Sequence, residues 1–203
     1  WSSDPTLSQA FVPWFFTCVP NDGQQAAVLT EEIYGKRKIS RIVTIADDTY
    51  DSNRALQYFL KKIELSGYSK PVQFLYDKSQ AEQVRLIDRI HRSDAGCIVL
   101  FCQPSASMKV IQLMRQRKMK LPVFGPLFLL NENELTEQEL QEFDHILRVP
   151  SAPWSGLQTS FRQAYQETYG RSPGMVASYA FDGMNLLIEA ARASGEPDRE
   201  KIQ

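Results

Sequence analysis

The sequence predicts an open α/β fold, a doubly wound parallel sheet, on three observations. Ile42-Val43-Thr44-Ile45-Ala46 is a continuous β-branched run, the pattern of a strand buried on both faces. Leu56, Phe59, Leu60 and Ile63 follow at i, i+3, i+4 and i+7, the apolar stripe of an amphipathic helix. That strand, polar turn and helix then recur from about residue 40 to 143, the alternation that builds parallel sheets. Ligand sites in such sheets gather at the carboxyl ends of the strands. The polar turn Asp47-Asp48-Thr49-Tyr50-Asp51-Ser52 is therefore the first place to look for function.

Taken in order, Trp14-Phe15-Phe16-Thr17-Cys18-Val19 reads as a short aromatic strand stopped by Pro20. Asn21 or Asp22 then caps a helix carrying Ala26, Ala27, Leu29, Thr30 and Ile33, which Gly35 ends. After the Arg41–Gly67 unit come strand Val72–Tyr76, turn Asp77–Gln80 and a helix with Val84, Ile87 and Ile90. Strand Cys97–Phe101 leads through Cys102-Gln103-Pro104-Ser105 into a helix with Val110, Leu113 and Met114. Pro122–Pro126 is a fourth strand closed by a turn, and an acidic helical stretch runs from Asn131 to Glu142. Ile146–Val149 is one more strand, broken by Pro150 and Pro153. Two helices follow without strands of their own, about Ser155–Tyr169 and Met175–Ala193. Leu157, Phe161, Ala164 and Tyr165 stripe the first; Ala177, Phe181, Met184, Leu187, Ile188 and Ala191 stripe the second. Helices without strands cannot close a core alone, so they imply a second sheet that lies mostly outside this chain.

A length of 203 residues is enough for one large domain or two small ones. The net charge of -1 argues against a general polyanion-binding surface, though not against a local basic patch, and no nucleic-acid partner is expected. Lys36-Arg37-Lys38 and Arg115-Gln116-Arg117-Lys118 are basic runs at helix ends, where they complement the helix dipole. No apolar run approaches the roughly 18 residues of a spanning helix. The opening at Trp1, without Met or signal peptide, reads as that of a piece of a longer protein. Cys97 and Cys102 lie on one strand and cannot pair with each other. His91 and His145 lack metal-ligand spacing, so neither metal nor cofactor is expected.

The Asp47-Asp48 pair is the sharpest chemical signal. Phosphoacceptor receiver domains place such a pair after an apolar strand to hold Mg²⁺, but they also need an acceptor Asp at a later strand end. Here that strand ends Cys102-Gln103-Pro104, with no carboxylate. There is no G-x-S-x-G elbow and no glycine-rich phosphate loop, so an enzyme reading finds no support. Helix capping and dipole complementation are the plain alternative for the acidic pair. What remains is a binding site made of strand-end loops: Asp48-Thr49-Tyr50, Asp77-Lys78-Ser79, Cys102–Ser105 and Leu127-Phe128. An aromatic, hydroxyls and amides suit a small polar ligand.

The order of segments resembles the type I periplasmic-binding protein family, the branched-chain amino acid receptors of ABC transporters. The matching features are Ser2-Ser3-Asp4-Pro5-Thr6-Leu7, then Trp14–Asp22, the strand end Asp48-Thr49-Tyr50, and Phe124-Gly125-Pro126. Phe161, Tyr165, Tyr169-Gly170, Pro173 and Tyr179-Ala180-Phe181-Asp182 follow in the family's order. The resemblance implies two α/β lobes, joined by crossovers, that close on a ligand. Residues 1–19 would then be a first-lobe end and crossover, 20–147 the second lobe without its final strands, and 148–203 a crossover with first-lobe helices. It further implies a non-enzymatic solute-binding protein, periplasmic or extracellular, free or membrane-anchored, with a small-molecule ligand and a transporter permease as partners. A sensor ectodomain of a membrane receptor with the same fold, and a receiver or flavodoxin-like intracellular domain, are the alternatives. Carried over by position, Ser3, with Ser2 and Trp1 beside it, falls where first-lobe hydroxyls and amides hold a ligand carboxylate. Tyr50 falls on the aromatic that covers the ligand, Ser105 or Ala106 on the next strand-end contact, and Tyr179 near the hinge side. Leu127 falls where amino acid receptors carry an acid for the ligand ammonium, which implies a ligand without a free amine. Asp51 stands where the family commonly has Gly, so that loop departs from the pattern.

Overall fold

The computed structural model describes residues 3–6, 16–131, 135–144, 146–150 and 159–195. The chain divides into two compact units, Asp22–Ala152 and a second made of Trp1–Asn21 with Pro153–Gln203.

The larger unit is the doubly wound α/β lobe. Its strands are β1 (Ile42–Ala46), β2 (Val72–Leu75), β3 (Cys97–Phe101), β4 (Val123–Phe124) and β5 (Leu147–Arg148). They form one sheet in the order β2-β1-β3-β4-β5, and every pairing is parallel. Among the described residues five α-helices accompany them: α1 (Asp22–Thr30), α2 (Tyr50–Leu65), α3 (Gln80–Arg92), α4 (Pro104–Gln116) and α5 (Glu137–Asp144).

Strand alternation sorts the side chains into two cores. Val43, Ile45, Ile98 and Leu100 pack with Leu86, Ile87 and Ile90 of α3 and Met108, Ile111 and Met114 of α4. Ile42, Ala46, Cys97, Val99 and Phe101 pack on the other face with Ala26 and Leu29 of α1 and Leu56, Phe59 and Ile63 of α2. Every residue of β1 and β3 is buried, as their continuous apolar runs require. β2 differs: only Phe74 is buried, because β2 is an edge strand and α3 covers one face of it. Gly125, closing β4, has no room for a side chain. A Cβ there would stand 2.3 Å from Leu129 Cδ1 and 2.8 Å from the Leu100 carbonyl oxygen.

Several boundaries differ from expectation for local reasons. The α2 helix starts at Tyr50, inside the predicted turn, because Asn53 N already donates to Thr49 O at 3.0 Å. The first helix does not stop at Gly35: it widens into a π-turn over Glu31–Lys36, with Arg37 N donating to Glu32 O at 3.0 Å. A 3₁₀ turn occupies Leu127–Leu130, and the acidic helix begins only at Glu137. β5 pairs with β4, Arg148 lying opposite Phe124.

The smaller unit contains α6 (Thr159–Tyr169) and α7 (Met175–Ser194). Phe161 stacks on Phe181 at 4.1 Å between centroids. Phe16–Val19, the described part of the predicted aromatic strand, is not in a strand, for no neighbouring strand pairs with it among the described residues. Trp14, Phe15 and the expected helix start at Ser155–Gln158 lie outside the described residues. Much of the α7 stripe is open to solvent: Met184, Leu187 and Ile188 are exposed, as is Leu186 beside it. Two packed helices shield only one side of each other.

Phe59 has no exposure and tilts against Phe101 at 5.4 Å. Phe59→Ala should therefore cost about 3–5 kcal/mol, since a ring-sized cavity between α2 and β3 cannot close. Urea unfolding followed by circular dichroism should show the midpoint falling at unchanged slope.

Candidate functional site at the strand carboxyl ends

The direction of chain crossover reverses between β1 and β3: α2 leaves β1 on one face of the sheet and α4 leaves β3 on the other. In sheets of this topology the ligand crevice lies outside the carboxyl ends of these two strands. The register aligns Ala46 with Phe101, so the residues that follow, Asp47 and Cys102-Gln103, stand side by side at the strand ends.

Asp47 closes the floor of this crevice. Its side chain is buried, and both carboxylate oxygens are engaged. Oδ1 accepts from the Thr49 amide at 3.1 Å and the Thr49 hydroxyl at 2.6 Å; Oδ2 accepts from the Gln103 amide at 2.6 Å. Gln103 Nε2 in turn donates to Thr49 Oγ1 at 3.0 Å, and Thr49 Oγ1 lies 2.7 Å from Ser52 Oγ. Burial pulls the Asp47 carboxyl upward, but the hydrogen bonds from Ser52, Thr49 and the Gln103 and Thr49 amides outweigh it and hold the pKa below the ordinary value. A second tie anchors the neighbouring loop: the Leu127 amide donates to Oε1 of buried Gln25 at 2.8 Å. A third gathers the β2 loop, where Gln83 Nε2 donates to Tyr76 Oη at 2.9 Å and to the carbonyls of Asp77 and Lys78.

These ties hold the loops and leave other groups outward. Tyr50, the first residue of α2, is 65% exposed, and Ser105, the second of α4, is exposed. Both project from helix starts at the crevice. Leu127, by contrast, is fully buried and begins the 3₁₀ turn, so its side chain does not stand on an open wall. Asp48 and Asp77 are exposed on the two flanking loops, and Asp77 Oδ1 accepts from the Ser79 amide at 2.6 Å. Ser3 and Tyr179 belong to the smaller unit. Ser3 is half-buried and precedes Asp4, whose Oδ1 accepts from the Thr6 amide and hydroxyl. Tyr179 is half-buried on α7, and its phenol is pushed up by burial and by Asp182. Ser2 and Trp1 lie outside the described residues.

The chemistry available here is hydrogen bonding. Cys102 is buried, its thiol donates to the Ile45 carbonyl at 3.5 Å, and burial raises its pKa well above the ordinary value. Cys97, one strand length away, is pushed up by burial to about 12. A nucleophilic thiol needs the opposite environment. Among the described residues, no three His, Cys, Asp or Glu side chains converge as metal ligands. The Asp47–Gln103 tie is the feature the sequence did not disclose. Its signal was a carboxylate and an amide, each just beyond a wholly apolar strand.

Fold and site thus define an open α/β lobe with a hydrogen-bonding crevice at its switch point. The chain belongs to the periplasmic binding protein family, which its sequence matches over residues 2–203. No curated protein matches it. Among solved structures it is similar to a leucine binding protein from Thermotoga maritima, at 16% identity and a TM-score of 0.73, covering 99% of this chain and 58% of that one. A branched-chain amino acid transporter substrate binding protein from Streptococcus pneumoniae, solved in complex with isoleucine, gives 16% identity and a TM-score of 0.74, covering 98% and 57%. A solute binding protein of an ABC transporter from Rhodopseudomonas palustris, in complex with 3,4-dihydroxy benzoic acid, gives 17% identity and 0.61, covering 91% and 52%. The chain therefore spans somewhat more than half the length of these neighbours. At such identities the likeness is one of fold.

Asp47→Asn keeps the size but turns one acceptor into a donor facing another donor, Thr49 or Gln103. The expected loss is about 1–3 kcal/mol in urea unfolding at neutral pH. The pH profile gives a second check. Because the folded pKa lies below the unfolded one, the contribution of Asp47 is fully present above about pH 4 and is lost as pH falls through the folded pKa. Asp47→Asn should flatten that acid limb.

Proposed function

We propose that the full-length protein captures a small solute for an ABC transporter, in the periplasm or at the cell exterior, and that the strand-end loops of the Asp22–Ala152 unit form one ligand-facing surface. The family match over residues 2–203 carries this reading. The strand-end loops support it: their buried polar groups hold the loops in place, and Tyr50 and Ser105 are exposed at the helix starts. Ser2, Ser3 and Tyr179 are proposed as ligand contacts from their sequence positions. The role proposed is binding without catalysis, and incubation with a small phosphodonor and Mg²⁺ should leave the protein's mass unchanged.

The finer reading concerns the ligand. An ammonium entering a closing cleft loses water and needs a carboxylate beside it. The loop after β4 supplies none from Gly125 to Asn131. That favours an amine-free carboxylate, a class that the dihydroxybenzoate-bound neighbour shows this fold to accept. Amino acids are the competing class, represented by the isoleucine-bound neighbour.

A thermal-shift screen of the full-length protein separates them. Aromatic and aliphatic carboxylates should raise the melting temperature more than leucine, isoleucine or valine at matched concentration. The reverse order would sink the amine-free assignment while leaving solute binding intact. For the best ligand, Tyr50→Ala should weaken binding about tenfold, the loss of ~1.4 kcal/mol of contact, by calorimetry. Its own melting temperature should hardly change, since the ring is mostly in solvent.

A further inference from the structure

We propose that the end of the sheet opposite the crevice is a docking surface for an anionic phospholipid membrane. In a parallel sheet every helix-to-strand connection emerges at the amino ends of the strands, so topology collects these segments on one side. The connections over 31–41, 61–71, 88–96 and 115–122 together hold 13 Lys and Arg and five Asp and Glu, in a chain whose net charge is -1. The last connection, before β5, adds Glu142 and Asp144. Arg37, Arg41, Lys70, Arg115 and Arg117 pair with nearby acids. Lys38, Lys61, Arg92, Lys118 and Lys120 are exposed and make no ion pair among the described residues.

Backbone geometry gives an independent reason to regard this charge as more than helix-end complementation. Lys38 and Lys118 sit at φ of 56° and 54°, in the left-handed region that favours glycine. Around Lys118 the cap is complete: Lys118 N donates to Arg115 O at 2.9 Å and Met119 N to Met114 O at 3.0 Å, the pattern whose left-handed position is usually glycine. The other two connections differ: glycine holds the position after α2, Gly67 at φ 71°, and Asp94, paired with Arg41, holds it after α3 at φ 51°. Lysine therefore occupies two turn tips where glycine carries no strain.

The composition of the surface selects its partner. Lysines in three of the four connections act as diffuse point charges, which suits a fluid anionic surface better than the bidentate recognition of single phosphates that arginine provides. Leu65 is 75% exposed and Tyr68 37% exposed at the same end, beside Lys61, Lys62 and Lys70. An aliphatic and an aromatic side chain among lysines can enter the interfacial layer of a bilayer. The crevice loops, with Asp47, Asp48 and Asp77, lie at the far end, so docking and ligand capture do not compete for one surface.

The test is sedimentation of the full chain with phosphatidylcholine vesicles and with vesicles containing about 30% phosphatidylglycerol, in about 0.1 M salt. Binding is expected to the anionic vesicles alone and to disappear at about 0.5 M salt. The double variant Lys38→Gly, Lys118→Gly should partition roughly tenfold or more less well, without a lower melting temperature, because glycine relieves both turns. A variant that binds like the parent, with a lowered melting temperature, would assign the lysines to the helix dipoles and overturn the proposal. Equal sedimentation with both vesicle types would overturn it too, as would retention of a DNA duplex with no vesicle binding.

Discussion

The pairing of β1 with β3 is the constraint from which the rest of the larger unit follows. Five consecutive residues of each strand, Ile42 to Ala46 against Cys97 to Phe101, are aligned in parallel and buried on both faces. Neither strand has a polar face to offer water, so a slip of one residue would exchange the two cores wholesale. β2 can add only outside β1, and β4 only outside β3. The reversal of crossover direction between the central strands, and the crevice it opens, is a consequence of that order.

At the end of this pairing a buried charge is held in place by geometry. Burial alone would raise the pKa of Asp47, yet four hydrogen-bond contributions reverse the effect. The carboxylate ties the β1 loop, through Thr49, to the β3 loop, through Gln103. This explains how Tyr50 and Ser105 can be exposed and still be fixed relative to each other: each begins a helix whose preceding loop is bound to the same side chain. The second carboxylate of the pair, Asp48, is exposed and has no part in that tie. Two neighbouring acids thus have different roles, set by strand register.

The parallel topology also separates charge along the sheet. Connections of one type carry acids and hydroxyls, and those of the other type carry most of the cations. Helix dipoles point the same way, with amino ends at the crevice and carboxyl ends at the basic side. The smaller unit lacks such closure. Its two helices stack through Phe161 and Phe181, and the outer stripe of α7 meets solvent among the described residues.

What the sequence determined by itself was whatever depends on local pattern. The β-branched runs of β1 and β3, the stripes of α2, α3 and α4, and the order of segments that resembles the family are all readable from residue spacing, because burial on a strand or helix imposes a period. Exposure at β2 was not readable, since Val72 and Leu75 look as apolar as core residues and only the strand order makes them an edge. Nor was the burial of Leu127, whose amide is tied to Gln25 more than a hundred residues earlier. The role of Asp47 required the register that sets it opposite Gln103, and the basic surface required the topology that brings Lys38 and Lys118 to one end. Periodicity records which side of an element is buried. Which elements are neighbours, and so which polar groups meet, is decided by long-range pairing that leaves no periodic trace in the chain.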